Sequence, residues 1–399
     1  MNDMTTEKQN KRPNVPPLRF PEFTEPWQRK KVSDILDFYS TNSLSWDQLE
    51  FASGDLKNLH YGMIHVGLPT LVDLAENELP NIKQGNVPRN YELCVDGDVA
   101  FADASEDTND VAKAIELINT NGQQVVFGLH TIHGRDNKGL TAKGFKGYAF
   151  ASKVFHDQIK RIAQGTKIFS ISSKNFAECY IGLPTLQEQR KIAHLLSILD
   201  RRIAVQSKII EDLRQLKSAI YQQVFSSIEG KLVALKNIAD IIKGKQINGT
   251  ELSDSGTYYV MNGGIEPSGY YNDFNTSANT ISISEGGNSC GFVQFNDVPF
   301  WSGGHCYTLQ IKCSQIDIRY LFHFLKYREH DVMALRIGSG LPNIQKKDLE
   351  RFQILMPSVD KQQRCATIFD CLHHKEDIEV SIQNQWKRQK QFLLRQMFI

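Results

Sequence analysis

An internal repeat constrains this chain more than any other feature of its sequence. Residues 165–225 align without a gap on residues 338–398, at a constant offset of 173 positions. Twelve of the sixty-one aligned pairs are identical, whereas composition alone would give roughly three or four, and a self-match of this length indicates a repeated structural unit. The chain is therefore predicted to use one plan twice, in which a globular part is followed by a short strand, a proline and a long helix.

The helical part of the repeat predicts a specific pairing. After Pro184, apolar residues recur every three or four positions over about 39 residues, which would form a helix roughly 58 Å long. A long helix with so narrow an apolar seam favours one partner helix over a globular core, and its own repeat at 358–398 is available. We therefore predict an α+β fold in which two mixed α/β globular domains are separated and joined by two long helices. These helices would form an antiparallel coiled coil, and the two halves would be related by a pseudo-twofold axis.

The chain of 399 residues is too long for one ordinary core, and the repeat divides it into predicted segments. The predicted segments are a disordered tail at 1–16, an extended arm at 17–26, a first globular domain at 27–184, a central helical spacer at 185–228, a second globular domain at 229–356 and a C-terminal helical spacer at 357–399.

Within the first globular domain, residues 62–66 are predicted to form an extended strand, because their composition is apolar and partly β-branched.

Composition narrows the class of protein. The formal net charge is only +1, whereas a protein that gripped DNA alone would more often be clearly basic, so partners that supply phosphate contacts are expected. The seven cysteines are scattered without a CxxC pair, which suits reduced thiols in a cytosol rather than a zinc ribbon or disulfide scaffold. The N-terminal residues lack the apolar core of a signal peptide, and no apolar run reaches membrane-spanning length. We therefore expect a cytoplasmic protein without a membrane partner.

Candidate nucleic-acid contacts come from basic, glycine-rich loops, which can bring cations and backbone amides close to phosphate. Mobile surface loops and solvated lysines remain the alternative interpretation. No metal site is predicted, because the acidic run at 103–110 lacks EF-hand spacing and the pair His130 and His133 has no companion ligand nearby. The candidate DNA contacts are Arg135, Lys138, Lys143, Lys146 and Lys153 in the first domain and Lys243, Lys245, Arg336, Ser339, Asn343, Lys346 and Lys347 in the second.

Two globular heads joined by long helices suggest a two-part DNA reader. Twofold geometry in a DNA-binding protein matches the symmetry of the duplex and sets the spacing of half-sites. The two heads differ in sequence, so the expected target is a pair of unlike half-sites separated by base pairs that are not read. A two-headed scaffold of the same shape that binds only protein is the alternative.

The chain resembles the specificity subunits of type I restriction–modification enzymes over nearly all of residues 17–399. In the second copy, residues 361–366 read KQQRCA where the first copy has EQRKIA, and His373 replaces Asp200. These departures are expected to weaken one contact to a partner subunit and to leave the architecture intact. The motifs that carry the resemblance are LRFPEF (18–23), GDVAFADASED (97–107), LPTLQEQRKIA (183–193), SEGGNSCG (284–291) and the PFW-to-Tyr stretch (299–307).

The resemblance implies a non-catalytic adaptor whose two target-recognition domains each read one half of a bipartite, asymmetric DNA site. The helical spacers would set the gap between the halves and dock two modification subunits that methylate adenine. Restriction subunits would add translocation and cleavage. No cofactor is expected on this chain, whereas S-adenosylmethionine, ATP and Mg²⁺ are expected on the partner subunits. The sequence lacks an adenine-methylation motif, a glycine motif for the methyl donor and a helicase phosphate loop. A methyltransferase or nuclease in its own right, a non-DNA-binding coiled-coil scaffold, and a specificity subunit of a related type II system remain as alternatives.

Overall fold

The computed structural model describes residues 14–52, 54–108, 110–338 and 340–399. Most of the predicted disordered tail therefore lies outside the described residues. The chain forms two compact units. One unit extends to Ser207 and includes Ile382–Ile399, and the other is Lys208–Ser381, so each long helix contributes to both units. No helix in the described part of the chain is both long enough and apolar enough to cross a membrane.

The first unit is built from short strands, five short helices and part of the two long helices. A five-stranded sheet with the order β2-β11-β7-β9-β5 and a four-stranded sheet with the order β10-β4-β6-β3 form its framework. Its strands are β1 (Gln28–Lys31), β2 (Asp37–Tyr39), β3 (Leu49–Glu50), β4 (Leu56–Leu59), β5 (Leu71–Asp73), β6 (Asn81–Ile82), β7 (Val99–Ala102), β8 (Ala104–Ser105), β9 (Ala114–Asn119), β10 (Gln124–Phe127), β11 (Thr131–Arg135), β12 (Phe169–Ser170) and β13 (Tyr180–Leu183). Its short helices are α1 (Val32–Ile35), α2 (Tyr61–His65), α3 (Phe145–Phe150), α4 (Lys153–Ile162) and α5 (Ser173–Ala177).

The predicted strand at residues 62–66 is wrong, because helix α2 occupies this position. The backbone N–H of Gly62 donates to Nδ1 of His60 over 3.1 Å, so the His60 side chain caps the helix start. A side-chain acceptor that satisfies a free N–H in the first turn stabilises a short helix. Ile64 is then fully buried, with Tyr61 and Met63 packed beside the same core, whereas Val66 exposes 80% of its surface just after the helix.

The second unit repeats the core of the first with a smaller set of strands. Its four-stranded sheet has the order β15-β21-β18-β19. The two long helices are α6 (Leu186–Ser227) and α11 (Val359–Gln396). The strands of the second unit are β14 (Lys231–Ala234), β15 (Ala239–Lys243), β16 (Tyr258–Met261), β17 (Tyr270–Tyr271), β18 (Thr280–Ser284), β19 (Val293–Asn296), β20 (Trp301–Ser302), β21 (Cys306–Ile311), β22 (Arg336–Ile337), β23 (Asn343–Ile344) and β24 (Gln353–Met356). Its short helices are α7 (Leu235–Ile238), α8 (Ile318–Tyr327), α9 (Glu329–Ala334) and α10 (Lys346–Glu350).

The sequence repeat is also a repeat of structure. The strand order β2-β11-β7-β9 in the first unit corresponds to β15-β21-β18-β19 in the second. The strand before each long helix pairs antiparallel with the strand that opens the same globular part, as β13 with β1 and β24 with β14. Helices α5, α6, α10 and α11 and strands β13 and β24 all begin at positions that keep the offset of 173. The predicted α+β class, with two repeated globular parts and two long helices, is confirmed.

A glutamine that is identical in the two copies of the repeat has the same structural role in each. Gln189 and Gln362 are both almost completely buried near the start of their long helices. Each donates from its side-chain amide to the carbonyl of the proline five residues earlier, over 2.9 Å. Each also accepts a backbone N–H over 2.8 Å, from Ala142 in the first unit and from Asp317 in the second. One side chain therefore ties the helix start to the globular part, and only a side chain with a donor and an acceptor at this length can do so.

The two long helices run antiparallel within each unit. In the first unit, Lys390 of α11 pairs with Asp200 of α6 over 2.6 Å. In the second unit, Glu376 of α11 accepts from Lys217 and Arg214 of α6, over 2.5 Å and 2.7 Å. Later residues of α6 therefore contact earlier residues of α11, as the predicted antiparallel pairing requires.

The two departures in the second copy have explanations within the chain, and the expected weakening of a partner contact stays a prediction. Glu188 is fully buried and accepts from Arg19 of the arm over 2.7 Å and 2.8 Å, whereas the equivalent Lys361 is exposed. In the described part of the second copy, only residues 228–230 separate α6 from β14, so no counterpart of the arm precedes this copy. Asp200 bonds Lys390 in the first unit, and Lys217 in the second unit uses Glu376 in place of a carboxylate at 373.

Candidate nucleic-acid interface

The basic loop of the first unit begins at the end of strand β11, and its first cation is held inside the unit. Arg135 donates two bonds of 2.8 Å to the two oxygens of Asp98 and a third of 2.8 Å to Glu92. Its guanidinium also stacks over the ring of Tyr39, 4.4 Å from the centroid. These hydrogen bonds raise the pKa of Arg135. Arg135 thus neutralises a fully buried carboxylate, and a phosphate contact would have to break that pair.

Lys146 is also committed to the interior, with only 3% of its surface exposed. Its ammonium lies 3.2 Å from Oε1 of Glu116 and donates to the hydroxyl of Thr141 over 3.0 Å. Glu116 accepts two backbone N–H bonds of 2.8 Å from Gly144 and Gly147 as well. Burial raises the pKa of Glu116 despite these partners. The geometry gives Lys146 a structural role, and a phosphate contact from Lys146, as from Arg135, would require the loss of a buried ion pair.

The buried residues around Asp98 form the one candidate metal cluster in the described part of the chain. Ligand atoms of Cys94, Asp98 and His133 lie within 4.8 Å of one another. Burial raises the pKa of the Cys94 thiol well above its usual value, which disfavours the thiolate that binds metals. Asp98 is already bonded by Arg135 and by Nε2 of His133 at 2.8 Å. The donor set is therefore better suited to an internal ion-pair network than to a cation.

The other predicted cations of the first unit lie on its surface. Lys138 donates to the backbone carbonyl of Asp34 over 2.8 Å, and Lys143 pairs with Asp96 over 3.0 Å. Lys143 lines a cleft of about 370 Å³ together with Arg135 and Asn137. Lys153, in the first turn of α4, pairs with Asp157 one turn later over 2.6 Å. These exposed pairs are weak, so the lysines could exchange them for phosphate.

In the second unit, a buried carboxylate gathers several predicted residues. Glu285 follows strand β18 and is only 8% exposed. Its Oε1 accepts from Lys243 over 2.7 Å and from the hydroxyl of Tyr307 over 2.9 Å. Its Oε2 is buried without a hydrogen-bond partner, although Nδ1 of His305 lies 3.9 Å away. The backbone carbonyl of Glu285 accepts from Ile344 over 2.8 Å, so Lys243 and the loop before α10 meet at one place.

The remaining predicted residues of the second unit lie in the hairpin of β22 and β23, at the start of α10 and just after β15. Arg336 and Asn343 belong to the hairpin of β22 and β23, and Gly286 forms a β-bridge with Asn343. Lys346 and Lys347 open α10 with exposed side chains, and Lys346 lies 3.9 Å from Glu350. Lys245 is exposed and lines a cleft of about 340 Å³ together with Lys243. Ser339 lies outside the described residues.

The family of the chain follows from a comparison with known protein families. Residues 128–215 and 229–388 match the model of the type I restriction modification DNA specificity domain. These two segments cover more than half of the chain. The chain belongs to this DNA specificity family.

Individual relatives of this specificity family agree with the assignment. A putative type I specificity subunit of Mycoplasma pneumoniae is 35% identical over 154 residues, which are 37% of this chain and 41% of the relative. A putative type I restriction enzyme specificity subunit of Methanocaldococcus jannaschii is 21% identical over 414 residues, which cover 94% of both chains. The first of these matches therefore spans less than half of the relative's length.

A solved structure shows the same specificity-subunit fold. The crystal structure of a type I restriction–modification system S subunit from M. genitalium superposes with a TM-score of 0.63. The superposition covers 96% of this chain and 99% of the other, at 18% sequence identity. At an identity this low, the superposition shows a shared fold and does not show which residues contact DNA.

The predicted DNA contacts did not include a group of residues at one end of the main sheet of each specificity domain. In the first unit, Nδ1 of His130 lies 3.2 Å from Oδ1 of Asp103, and the His130 ring packs against Tyr61 at 5.2 Å. In the second unit, Glu285 and His305 occupy the corresponding place. The residues lie in loops of unequal length, so no single offset in the sequence brings the two pairs into register.

Proposed function

We propose that this chain is the DNA sequence-recognition subunit of a type I restriction–modification complex. Each globular part would read one half of a bipartite, asymmetric site. The observation that carries the proposal is the structural repeat, in which the same sheet and the same helix start recur with different surface residues. Two similar but non-identical heads on one chain suit two unlike half-sites. The membership in the DNA specificity family supports the same conclusion.

We further propose that the long helices set the gap between the half-sites and dock two modification subunits. A cleft of about 370 Å³ on the paired helices of the first unit supports the docking. It is lined by Ile198, Val205 and Trp386, and Arg202 lies 5.1 Å from the centre of the Trp386 ring. Val205 exposes 59% of its surface. Aliphatic and aromatic side chains beside an arginine are typical of protein interfaces.

In this proposal the chain itself is non-catalytic. The modification subunits would bring S-adenosylmethionine and transfer its methyl group to adenine, and restriction subunits would bring ATP and Mg²⁺ for translocation and cleavage. The complex would act in the cytoplasm, where its DNA is. Recruitment of a translocating restriction subunit would distinguish this assembly from the related type II system.

Purification with the cognate modification subunit tests the proposal. We expect the complex to select one class of duplex from a random library, and its affinity to fall steeply as salt rises, because lysine–phosphate contacts release counterions. Val205→Asp should lower the yield of complex, whereas Val298→Asp, at a similarly exposed valine of the second globular part, should leave the yield unchanged. A complex that forms but binds all sequences equally would support the protein scaffold instead.

A further inference from the structure

The two globular parts carry the same hairpin at the same position of the repeat. In the first unit, Gln164 and Ser170 exchange two backbone hydrogen bonds of 3.0 Å and 2.8 Å. In the second unit, Ile337 pairs with Asn343 in the hairpin of β22 and β23. The members of the two pairs are related by the repeat offset of 173. The glycine that follows the first strand has positive φ in both hairpins, 140° at Gly165 and 95° at Gly338, a conformation that favours glycine.

Each hairpin presents an aliphatic side chain to solvent at its tip. Ile168 exposes 62% of its surface and Leu341, its repeat equivalent, exposes 86%. A single exposed aliphatic residue needs no explanation, but these two occupy equivalent tips while their neighbours differ. Lys167 in one tip corresponds to Gly340 in the other. Neither side chain contributes to a core, so folding does not require an aliphatic residue at either position.

The hairpins are fixed to equivalent points of the two sheets. The backbone N–H of Ile171 donates to the carbonyl of Asp103 over 3.0 Å, and that of Ile344 donates to the carbonyl of Glu285 over 2.8 Å. Asp103 directly follows β7, and Glu285 directly follows the corresponding β18. A tip held by backbone bonds to a sheet is positioned in advance, which lowers the entropic cost of binding.

A carboxylate and a histidine accompany each tip. His130 precedes β11 and faces Asp103, and His305 precedes the corresponding β21 and lies near Glu285. Backbone bonds fix both arrangements, because the N–H groups of Asp103 and Glu285 donate to the carbonyls of His130 and His305 over 3.0 Å and 2.9 Å. We define the hairpin edge as the hairpin tip with its carboxylate and histidine, in each unit. Oε2 of Glu285 is buried there without a hydrogen-bond partner, and the exposed His305 ring lies 3.9 Å from it.

The chemistry of the hairpin edge fits the grooves of duplex DNA. In the major groove, carboxylates accept from the amino group of cytosine, histidines can donate to or accept from base edges, and apolar side chains contact the thymine methyl group. In the second unit, Lys243, Arg336 and Lys346 surround the edge and can bind phosphate. In the first unit, Ile168 and His130 line one cleft of about 470 Å³ with Tyr61.

The basic loop of the first unit lies at the other end of its sheet. His130 precedes β11, whereas Arg135 ends that strand and the loop follows it. The loop therefore has no equivalent among the predicted contacts of the second unit, which surround the hairpin edge. Two repeated domains are expected to use the same face, and the hairpin edge is the face on which the repeat is complete.

We propose that Ile168 and Leu341, on the two hairpin edges, are the side chains with which the two heads engage the base steps of their half-sites. The inference rests on the proposed DNA-recognition function and assigns it to a defined surface. The tip residue positions each head in the groove, and the adjacent carboxylate and histidine read base edges.

Serine substitutions in the assembled complex with the modification subunit test the inference. We expect Leu341→Ser and Ile168→Ser each to weaken binding to the cognate duplex by about tenfold or more, in the range of a mismatched base pair. Each variant should relax sequence preference in only one half of the site. Ile168→Leu and Leu341→Ile should keep the wild-type affinity. The melting temperatures of all four variants should not change, since both side chains are exposed.

Matched controls decide between the two ends of the sheet. Val95→Ser and Val298→Ser remove exposed aliphatic side chains away from the hairpin edges and should leave affinity unchanged. If the wild-type complex is specific but the two tip variants bind normally, the inference is overturned and the DNA-recognition function stands. Loss of specificity in Lys138→Ala and Lys143→Ala, with the tip variants unaffected, would move the reading surface to the basic loop. A wild-type complex without sequence preference would overturn both proposals.

Discussion

Replacing Asp98 with asparagine should lower the free energy of unfolding of the first unit by about 3–5 kcal/mol, the usual cost of removing one partner from a buried ion pair. Asp98 is fully buried and accepts from Arg135 and His133. Asparagine keeps the shape but turns an amide toward these donors and leaves the guanidinium with Glu92 as its one carboxylate partner among the described residues. Three of the four tryptophans belong to the first unit, so denaturant unfolding followed by tryptophan fluorescence reports mainly on it.

The same pair makes the effect depend on pH. Burial acts to raise the pKa of Asp98, but hydrogen bonds from Arg135 and His133 outweigh it and leave the pKa lowered. The charged carboxylate therefore stabilises the folded chain above the unfolded-state pKa of about 3.9, and this stability is lost as the pH falls through the lower folded value. The gap between wild type and Asp98→Asn should narrow below about pH 4. Asp157→Asn, which removes an exposed pair with Lys153, should cost under about 1 kcal/mol. Equal losses in the two variants at neutral pH would contradict the structural role of Asp98.

Replacing either repeated glutamine with leucine should destabilise the unit to which it belongs by about 2–4 kcal/mol, because burying unpaired polar groups costs about 1–3 kcal/mol each. In Gln362→Leu, the carbonyls of Pro357 and Gln315 and the N–H of Asp317 lose their partner. Gln189→Leu strands the equivalent groups in the first unit. Leucine is close in volume, so the loss reports hydrogen bonding rather than a cavity.

Each glutamine has an exposed neighbour that serves as a control. Gln187→Leu and Gln363→Leu change solvent-exposed positions of the same helices and should shift stability by less than about 0.5 kcal/mol. Urea unfolding of the four variants at neutral pH provides the comparison. If Gln362→Leu and Gln363→Leu have the same unfolding midpoint, the glutamine does not tie the helix to the globular part as the structure indicates.

The division of the fold into two repeated halves was predictable because the repeated segments keep a constant sequence offset of 173 positions. The helix seam, the proline and the glutamine repeat at a fixed distance, and the structure places them in equivalent positions. The strand predicted at 62–66 failed because the side chain of His60 caps a helix there. Its capping bond depends on local geometry that apolar composition does not reveal.

The candidate site was harder to predict, because formal charge does not show burial. Arg135 and Lys146 look like free cations in a basic loop, yet their partners Asp98 and Glu116 lie about thirty residues or more earlier in the chain. Asp103 and Glu285 lie in the acidic run 103–110 and the motif 284–291, but their equivalence was not predicted, for a different reason. Loops of unequal length separate them from the repeated segment, so their equivalence depends on strand order rather than on sequence offset.

Methylation mapping tests the central claim most directly. The chain would be expressed with its cognate modification subunit in a host without other adenine methylation, and the genome sequenced for N6-methyladenine. We expect a split motif of two unlike halves with a constant unread gap. Exchange of residues 27–184 for the corresponding part of another family member should change only one half. Unmodified adenines despite a soluble complex, or a single uninterrupted motif, would contradict the claim that two heads on one chain read two half-sites.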